Sequence, residues 1–234
     1  MVSIPHLDNR TIAPENKVGL IAAVLLTLET VAFGIALPIP TAANAAYLAS
    51  FLIAPTFVAL IVAVHYTAPE SKRIWSHLGL AFAVICAVLC GLNYYVQLTV
   101  VRTNVLGAPS ALIEMLRFTP GSLMFAQDML GYTFLCLATL AAAPVFSGDR
   151  LSRWLKGLFV AHGLVFVVPL IFPALSFSDG TSGDEIGVLA NLFWCALFAP
   201  IAVLLALYFR RRILHPPRRW HTQKAPLILG HENP

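Results

Sequence analysis

The sequence predicts an all-α integral membrane protein, a bundle of six transmembrane helices, and three observations carry that prediction. Composition comes first: of 234 residues, 59% are hydrophobic and 11% charged, with a mean hydropathy of +0.80. A soluble domain is about one quarter charged, so this chain lacks the polar surface to cover a water-soluble core. Second, six apolar runs reach or exceed the ~18 residues that read as a membrane span; they cover about 18–37, 45–66, 76–102, 122–146, 154–175 and 186–209. Third, Lys and Arg are distributed asymmetrically. With the N-terminus inside, Arg10, Lys17, Lys72, Arg73, Arg150, Arg153, Lys156, Arg210, Arg211, Arg212, Arg218, Arg219 and Lys224 are all cytoplasmic, and only Arg102 and Arg117 lie outside. The positive-inside rule then puts both termini in the cytoplasm, of a plasma membrane or a bacterial inner membrane.

Each element has its own signal. Residues 1–17 form a polar tail, and the first span, 18–37, stops at Pro38-Ile39-Pro40. Ala43-Asn44-Ala45 resembles a signal-peptide cleavage site, but the preceding run exceeds the ~7–15 residues of a signal core, so a retained span is expected. The second span contains Pro55 and ends at Thr67-Ala68-Pro69-Glu70. Residues 103–121 are too polar to cross; there Pro109-Ser110 and ALIEMLRF predict a short N-capped amphipathic helix, closed by Thr119-Pro120-Gly121. Pro169 and Pro173 loosen the fifth span, and the outer 176–185 connection is acidic. Residues 210–234 form a basic tail, expected to be extended.

The third span organises the reading. Cys86, Cys90, Asn93 and Gln97 recur at helical spacing and share one face. Hydrocarbon offers Asn and Gln no hydrogen-bond partner, so this face is expected to look into the bundle. Two carboxylates also interrupt apolar runs, Glu29 in the first span and Asp128 in the fourth, and an intramembrane carboxylate is a functional candidate. By position in their spans, Glu29, Asn93, Tyr94, Gln97, Gln127, Asp128, Tyr132, Asn191 and Trp194 fall at one depth in the outer half. If their faces meet they enclose a polar pocket with an aromatic lining. His162, inside the fifth span, is expected to donate to a neighbouring helix or to relay a proton.

Other classes are disfavoured. The net charge of +4 and pI near 9.0 are accounted for by topology, so no nucleic-acid partner is expected. Haem held between His65, His77 and His162 is disfavoured, because all three sit toward one side of the membrane and two at span ends; no cofactor or metal is expected. The four Cys form no CxxC pair, and no hydrolase, zinc, P-loop or dinucleotide motif occurs. The two three-span halves would be inverted repeats, but they share no motif. Three function classes remain. The favoured one is binding or passage of a small molecule or ion through the outer pocket, coupled to protons through Glu29, Asp128 and His162. The second is an intramembrane enzyme on a lipid or isoprenoid, with Glu29 and Asp128 as acid and base. The third is a structural or accessory subunit that presents the polar face of the third span to a partner subunit or a second copy.

Overall fold

A computed structural model describes residues 12–104, 107, 109–174 and 182–215. Three expectations lie wholly or partly outside these residues: the N-terminal tail with Arg10, the acidic 176–185 connection, and the C-terminal tail with Arg218, Arg219 and Lys224. The described chain is helical throughout: α1 (Pro14–Ala36), α2 (Ala43–Thr67), α3 (Arg73–Val96), α4 (Ser110–Leu116), α5 (Leu123–Ala142), α6 (Arg150–Leu164), α7 (Val167–Ile171) and α8 (Ser182–Leu214). Six stretches of helix are long and apolar enough to cross a membrane.

Neighbours in sequence are neighbours in space. α1 packs on α2, α2 on α3, α3 on α5, α5 on α6, α6 on α8, and α8 returns to α1. The spans therefore form a closed ring. Its seam, α1 against α8, runs antiparallel and in step. Arg212 donates from Nε to Asn16 Oδ1 at 3.3 Å, Gly19 lies against the Phe209 ring, and Gly34 lies against Cys195. Farther along, Phe33 meets Trp194 with ring centroids 6.3 Å apart. Both described chain ends thus lie at one end of the bundle, the termini end; residues 110–121 mark the other, the connection end.

Lipid tails are as apolar as Leu, so hydrophobicity gives helices no reason to associate; close packing and hydrogen bonds must do it. The α3–α5 contact is built that way. Ser76, Gly79, Ala83, Cys86, Cys90 and Asn93 are buried along one face of α3, and Gln97 continues it. A Cβ on Gly79 would lie 2.9 Å from the Ala138 carbonyl oxygen, and one on Gly131 would lie 2.4 Å from Cys90 Sγ. The backbones can approach this closely only because those side chains are missing.

The ends of the elements follow local chemistry. Ser122 and Asp149 cap α5 and α6 by accepting from Phe125 N and Ser152 N at 3.0 and 2.9 Å. Hydrogen bonds from Ser152, aided by the Arg211 charge, hold the Asp149 carboxyl below its ordinary range. Pro55 leaves α2 continuous. The fifth span, in contrast, breaks: α6 stops at Leu164, and a separate short helix carries Pro169 before a 3-10 turn at Phe172–Ala174, because Pro cannot supply the N–H that a continuous helix needs. The third span loosens at its connection end into a π-helical stretch, Gln97–Val101. The expected cap on α4 differs from the structure. Ser110 is the first helical residue, Pro109 holds the cap position without a side-chain bond, and Ile113 is the helix's one buried residue.

The Gly131 contact is testable. Gly131→Ala overpacks the seam and should cost about 1–3 kcal/mol, read as a lower thermal midpoint of the detergent-solubilised protein. In a Cys90→Ala background the obstructing sulfur is gone, and the same change should cost clearly less. Equal losses in both backgrounds would show that the thiol is not what fills the space.

Candidate functional site

The bundle interior is built around Trp194. Its ring stacks on Phe198 at 4.8 Å and 20°, and meets Tyr132 edge-on at 5.2 Å. Its indole N–H donates to His162 Nε2 at 3.1 Å. Nε2 is therefore the accepting nitrogen, which leaves the ring proton on Nδ1. Nδ1–H faces Thr139 Oγ1 at 2.8 Å, and the Thr139 hydroxyl donates to the Cys136 carbonyl at 2.8 Å. The chain of bonds α8–α6–α5 is complete: both ring nitrogens of His162 are used, and the side chain is fully buried. A proton added at Nε2 would face the Trp194 N–H, so this geometry serves a structural clasp better than a proton relay. His65 and His77 form a separate pair near the termini end, ring centroids 4.8 Å apart, with His65 Nδ1 2.8 Å from Ser76 Oγ. Among the described residues no group of three or more His, Cys, Asp or Glu comes together as a metal site.

Asp128 is fully buried at the α3–α5 seam. Tyr94 donates its hydroxyl to Asp128 Oδ2 at 3.0 Å, while Oδ1 and the neighbouring Asn93 Nδ2 have no hydrogen-bond partner among the described residues. Asn93 and Cys90 adjoin the carboxyl, and the Tyr132 hydroxyl adjoins that of Tyr94. Asn93, Tyr94, Asp128, Tyr132 and Trp194 are thus brought together.

The other expected members go elsewhere. Glu29 lies at the α1–α2 seam, where Thr56 donates to Oε1 at 3.0 Å. Its partner Thr56 lines an outward-looking groove with Val18, Ile21, Leu25 and Pro55. No hydrogen bond joins Glu29 to Asp128, and the two belong to different helix pairs. Gln97 binds backbone: its amide donates to Leu116 O at 2.7 Å, and its carbonyl oxygen accepts from Phe118 N at 3.0 Å. It pins the connection to the end of α3. Gln127 donates to Leu89 O at 3.0 Å across the α3–α5 seam, and Asn191 bonds back to Gly187 O at 2.9 Å in its own helix. On the polar face of the third span Gln97 is thus satisfied within the chain, whereas Asn93 Nδ2 stays buried without a partner among the described residues.

Two cavities adjoin this centre at the connection end. The larger, about 240 Å³, is a chamber walled by Phe33, Tyr47, Tyr94, Phe118 and Phe125, with Ala46, Thr119 and Asn191 completing it. The smaller, about 120 Å³, lies between α5, α7 and α8 and shares Phe125, Gly187 and Asn191 with the first. Tyr94 both lines the chamber and donates to Asp128. Sequence reasoning missed Tyr47, Phe118 and Phe125, because an aromatic at a span end reads equally as an interface anchor. It also missed Thr139, which had a signal: it lies seven residues after Tyr132, on the same face of α5. Comparison of the chain with protein-family models, with curated proteins and with solved structures finds no match.

Two hydrogen-bonded pairs can be broken one partner at a time. Tyr94→Phe strips the buried carboxyl of its donor and should cost about 1–3 kcal/mol of stability; combined with Asp128→Ala, the losses should be smaller than their sum. Trp194→Phe should likewise cost about 1–3 kcal/mol by leaving His162 Nε2 unpaired. Additive losses in that double mutant, measured by thermal unfolding in detergent, would mean that Tyr94 and Asp128 are not energetically coupled.

Proposed function

We propose that the protein binds a small molecule with a flat, mainly apolar body in the aromatic chamber at the connection end of the bundle, and that this binding is its function. The observation that carries the reading is the chamber itself, about 240 Å³ of concave space faced by five aromatic rings with only a few polar groups among them. Small-molecule sites have that composition: an apolar and aromatic wall supplies contact area, and a few fixed polar groups set orientation. Here Tyr94, Thr119 and Asn191 would orient the ligand. A ligand group that competes for the Tyr94 hydroxyl would also disturb its bond to Asp128, which gives binding a route to the buried carboxyl and is the basis for proton coupling in this reading.

The excess of Lys and Arg at the termini end supports a chamber that faces the outside of the cell membrane, with both termini in the cytoplasm. In this reading α4, with Leu112 and Met115 exposed, lies along the outer interface as an amphipathic cover. Binding takes precedence over passage because Phe57, Phe198 and His162 fill the interior next to the chamber.

Replacing Ala46, a small residue on the chamber wall, with Trp fills the space. The protein, purified in nanodiscs, would be extracted with organic solvent, and the extract compared by mass spectrometry with that of empty nanodiscs. The wild type should retain a discrete small molecule, and Ala46→Trp should retain at least ~10-fold less, the equivalent of about 1.4 kcal/mol of binding free energy. If the wild type retains nothing above the empty discs, or if retention is unchanged in a folded Ala46→Trp protein, the chamber is not a ligand site and a structural role leads.

A further inference from the structure

The smaller cavity has a feature that the chamber lacks. Two of its wall residues, Val168 on α7 and Phe193 on α8, are 53% and 63% exposed on the outside of the bundle. The cavity therefore opens sideways, between α7 and α8. Its depth follows from helix geometry. In the sequence Phe193 lies seven residues inside the apolar run that starts at about 186, and Val168 seven residues before the end of the run that closes at about 175. At 1.5 Å per residue both lie roughly 10 Å from the span ends, at the level of hydrocarbon rather than water.

The gap has a structural cause. α6 packs on both α5 and α8, whereas α7, after the break at Val165–Phe166, packs on α5 and makes no comparable contact with α8. The broken fifth span leans away from the sixth and leaves the space between them unfilled. Apart from Asn191 and the Tyr132 hydroxyl, the side chains lining that space are apolar or aromatic, with Trp194 at the back. Asn191 stands on the wall common to the gap and the chamber. Its amide nitrogen is bonded to Gly187 O, and its Oδ1 accepts no hydrogen bond from a described residue, so it can receive one from a passing hydroxyl or N–H.

We propose that the chamber's ligand is a lipid-soluble molecule carrying a hydrogen-bond donor, and that it reaches the chamber from the bilayer through the gap between α7 and α8, past Asn191. The route rests on the reading of the chamber as a ligand site; it adds the source and the solubility class. A molecule arriving from water would use the mouth at the connection end and would have no use for an opening at hydrocarbon depth.

Trp194 reports on the gap directly. The chain has four Trp; Trp75→Phe, Trp154→Phe and Trp220→Phe leave it alone. Its fluorescence would be measured in liposomes of phosphatidylcholine brominated on the acyl chains, and separately with acrylamide in the water. Trp194 is only 7% exposed, so a closed wall would protect it from both. The proposal expects quenching by brominated lipid and little by acrylamide. Ala190→Phe, at an exposed cavity-lining position with room for the larger ring, should abolish the lipid quenching, and Phe193→Ala should increase it. Strong acrylamide quenching without lipid quenching, or lipid quenching that ignores both substitutions, overturns the route. The two readings separate cleanly. A retained ligand with no lipid quenching sinks the lateral route and leaves the chamber reading intact, whereas lipid quenching with no retained ligand sinks the chamber reading and with it the route's purpose.

Discussion

The close approach of α3 and α5 is the constraint on which the rest of the bundle depends. In a bilayer two helices gain nothing from hiding apolar surface from each other, so they hold together where backbones come near enough to pack and where polar side chains find partners. The α3 face supplies both in sequence. From the termini end it offers Ser76, Gly79 and Ala83, then Cys86 and Cys90, then Asn93 and Gln97. The alternation of three- and four-residue steps keeps that face on its partner along the whole helix, which is the condition for a long left-handed pair. Gly131 receives the Cys90 sulfur, and from that point toward the connection end hydrogen bonds take over from packing.

Fixing α5 in this way decides what its remaining faces do. With Asp128 turned to α3, Tyr132 is turned to the interior, and Thr139 meets His162 from the fifth span. Trp194 then has an acceptor for its indole N–H and rings to pack on from several directions. A buried ring nitrogen or indole N–H without a partner would cost more than the bond is worth when made, so the three helices are held to one arrangement. The same economy explains why α1, which contributes to the interior mainly through Phe33, could place its own carboxylate at the α1–α2 seam without disturbing the centre.

How much of this was legible in the sequence depends on the kind of information needed. Length and apolarity are local, so the six spans could be read, and a helical period is local, so the buried face of α3 could be read from Cys86, Cys90, Asn93 and Gln97. What a period cannot tell is which neighbour a face meets. Glu29 and Asp128 look alike by hydropathy and depth, yet one pairs with Thr56 on the following span and the other with Tyr94 on the preceding one. Gln97 looks like a site residue for the same reason, but the backbone of the connection satisfies its amide. Backbone carbonyls are everywhere and leave no mark in a sequence. The proline pattern was legible only in part. Pro55 and Pro169 are equivalent signals, and what separates them is whether the neighbouring helices keep the span in place after the hydrogen bond is lost.

That last distinction governs where this fold can have a function. Toward the termini end the helices are regular and the interior is filled by Phe146, Phe159, Phe209, Leu155 and Leu205, all of them fully or almost fully buried. The chamber and the smaller cavity beside it lie at the connection end. There the third span relaxes into a π-helical stretch, and the fifth breaks into α7 and a 3-10 turn. A regular helix beside another regular helix leaves no space that side chains of ordinary size cannot fill. Departures from regularity turn side chains out of register and separate axes, which is why π segments and broken helices so often mark functional sites. In this chain both departures occur at the same end, on either side of α5, and the cavities lie between them. The tight α3–α5 seam makes that possible: it holds the bundle together through contacts farther down, so the connection end can remain open without loosening the whole.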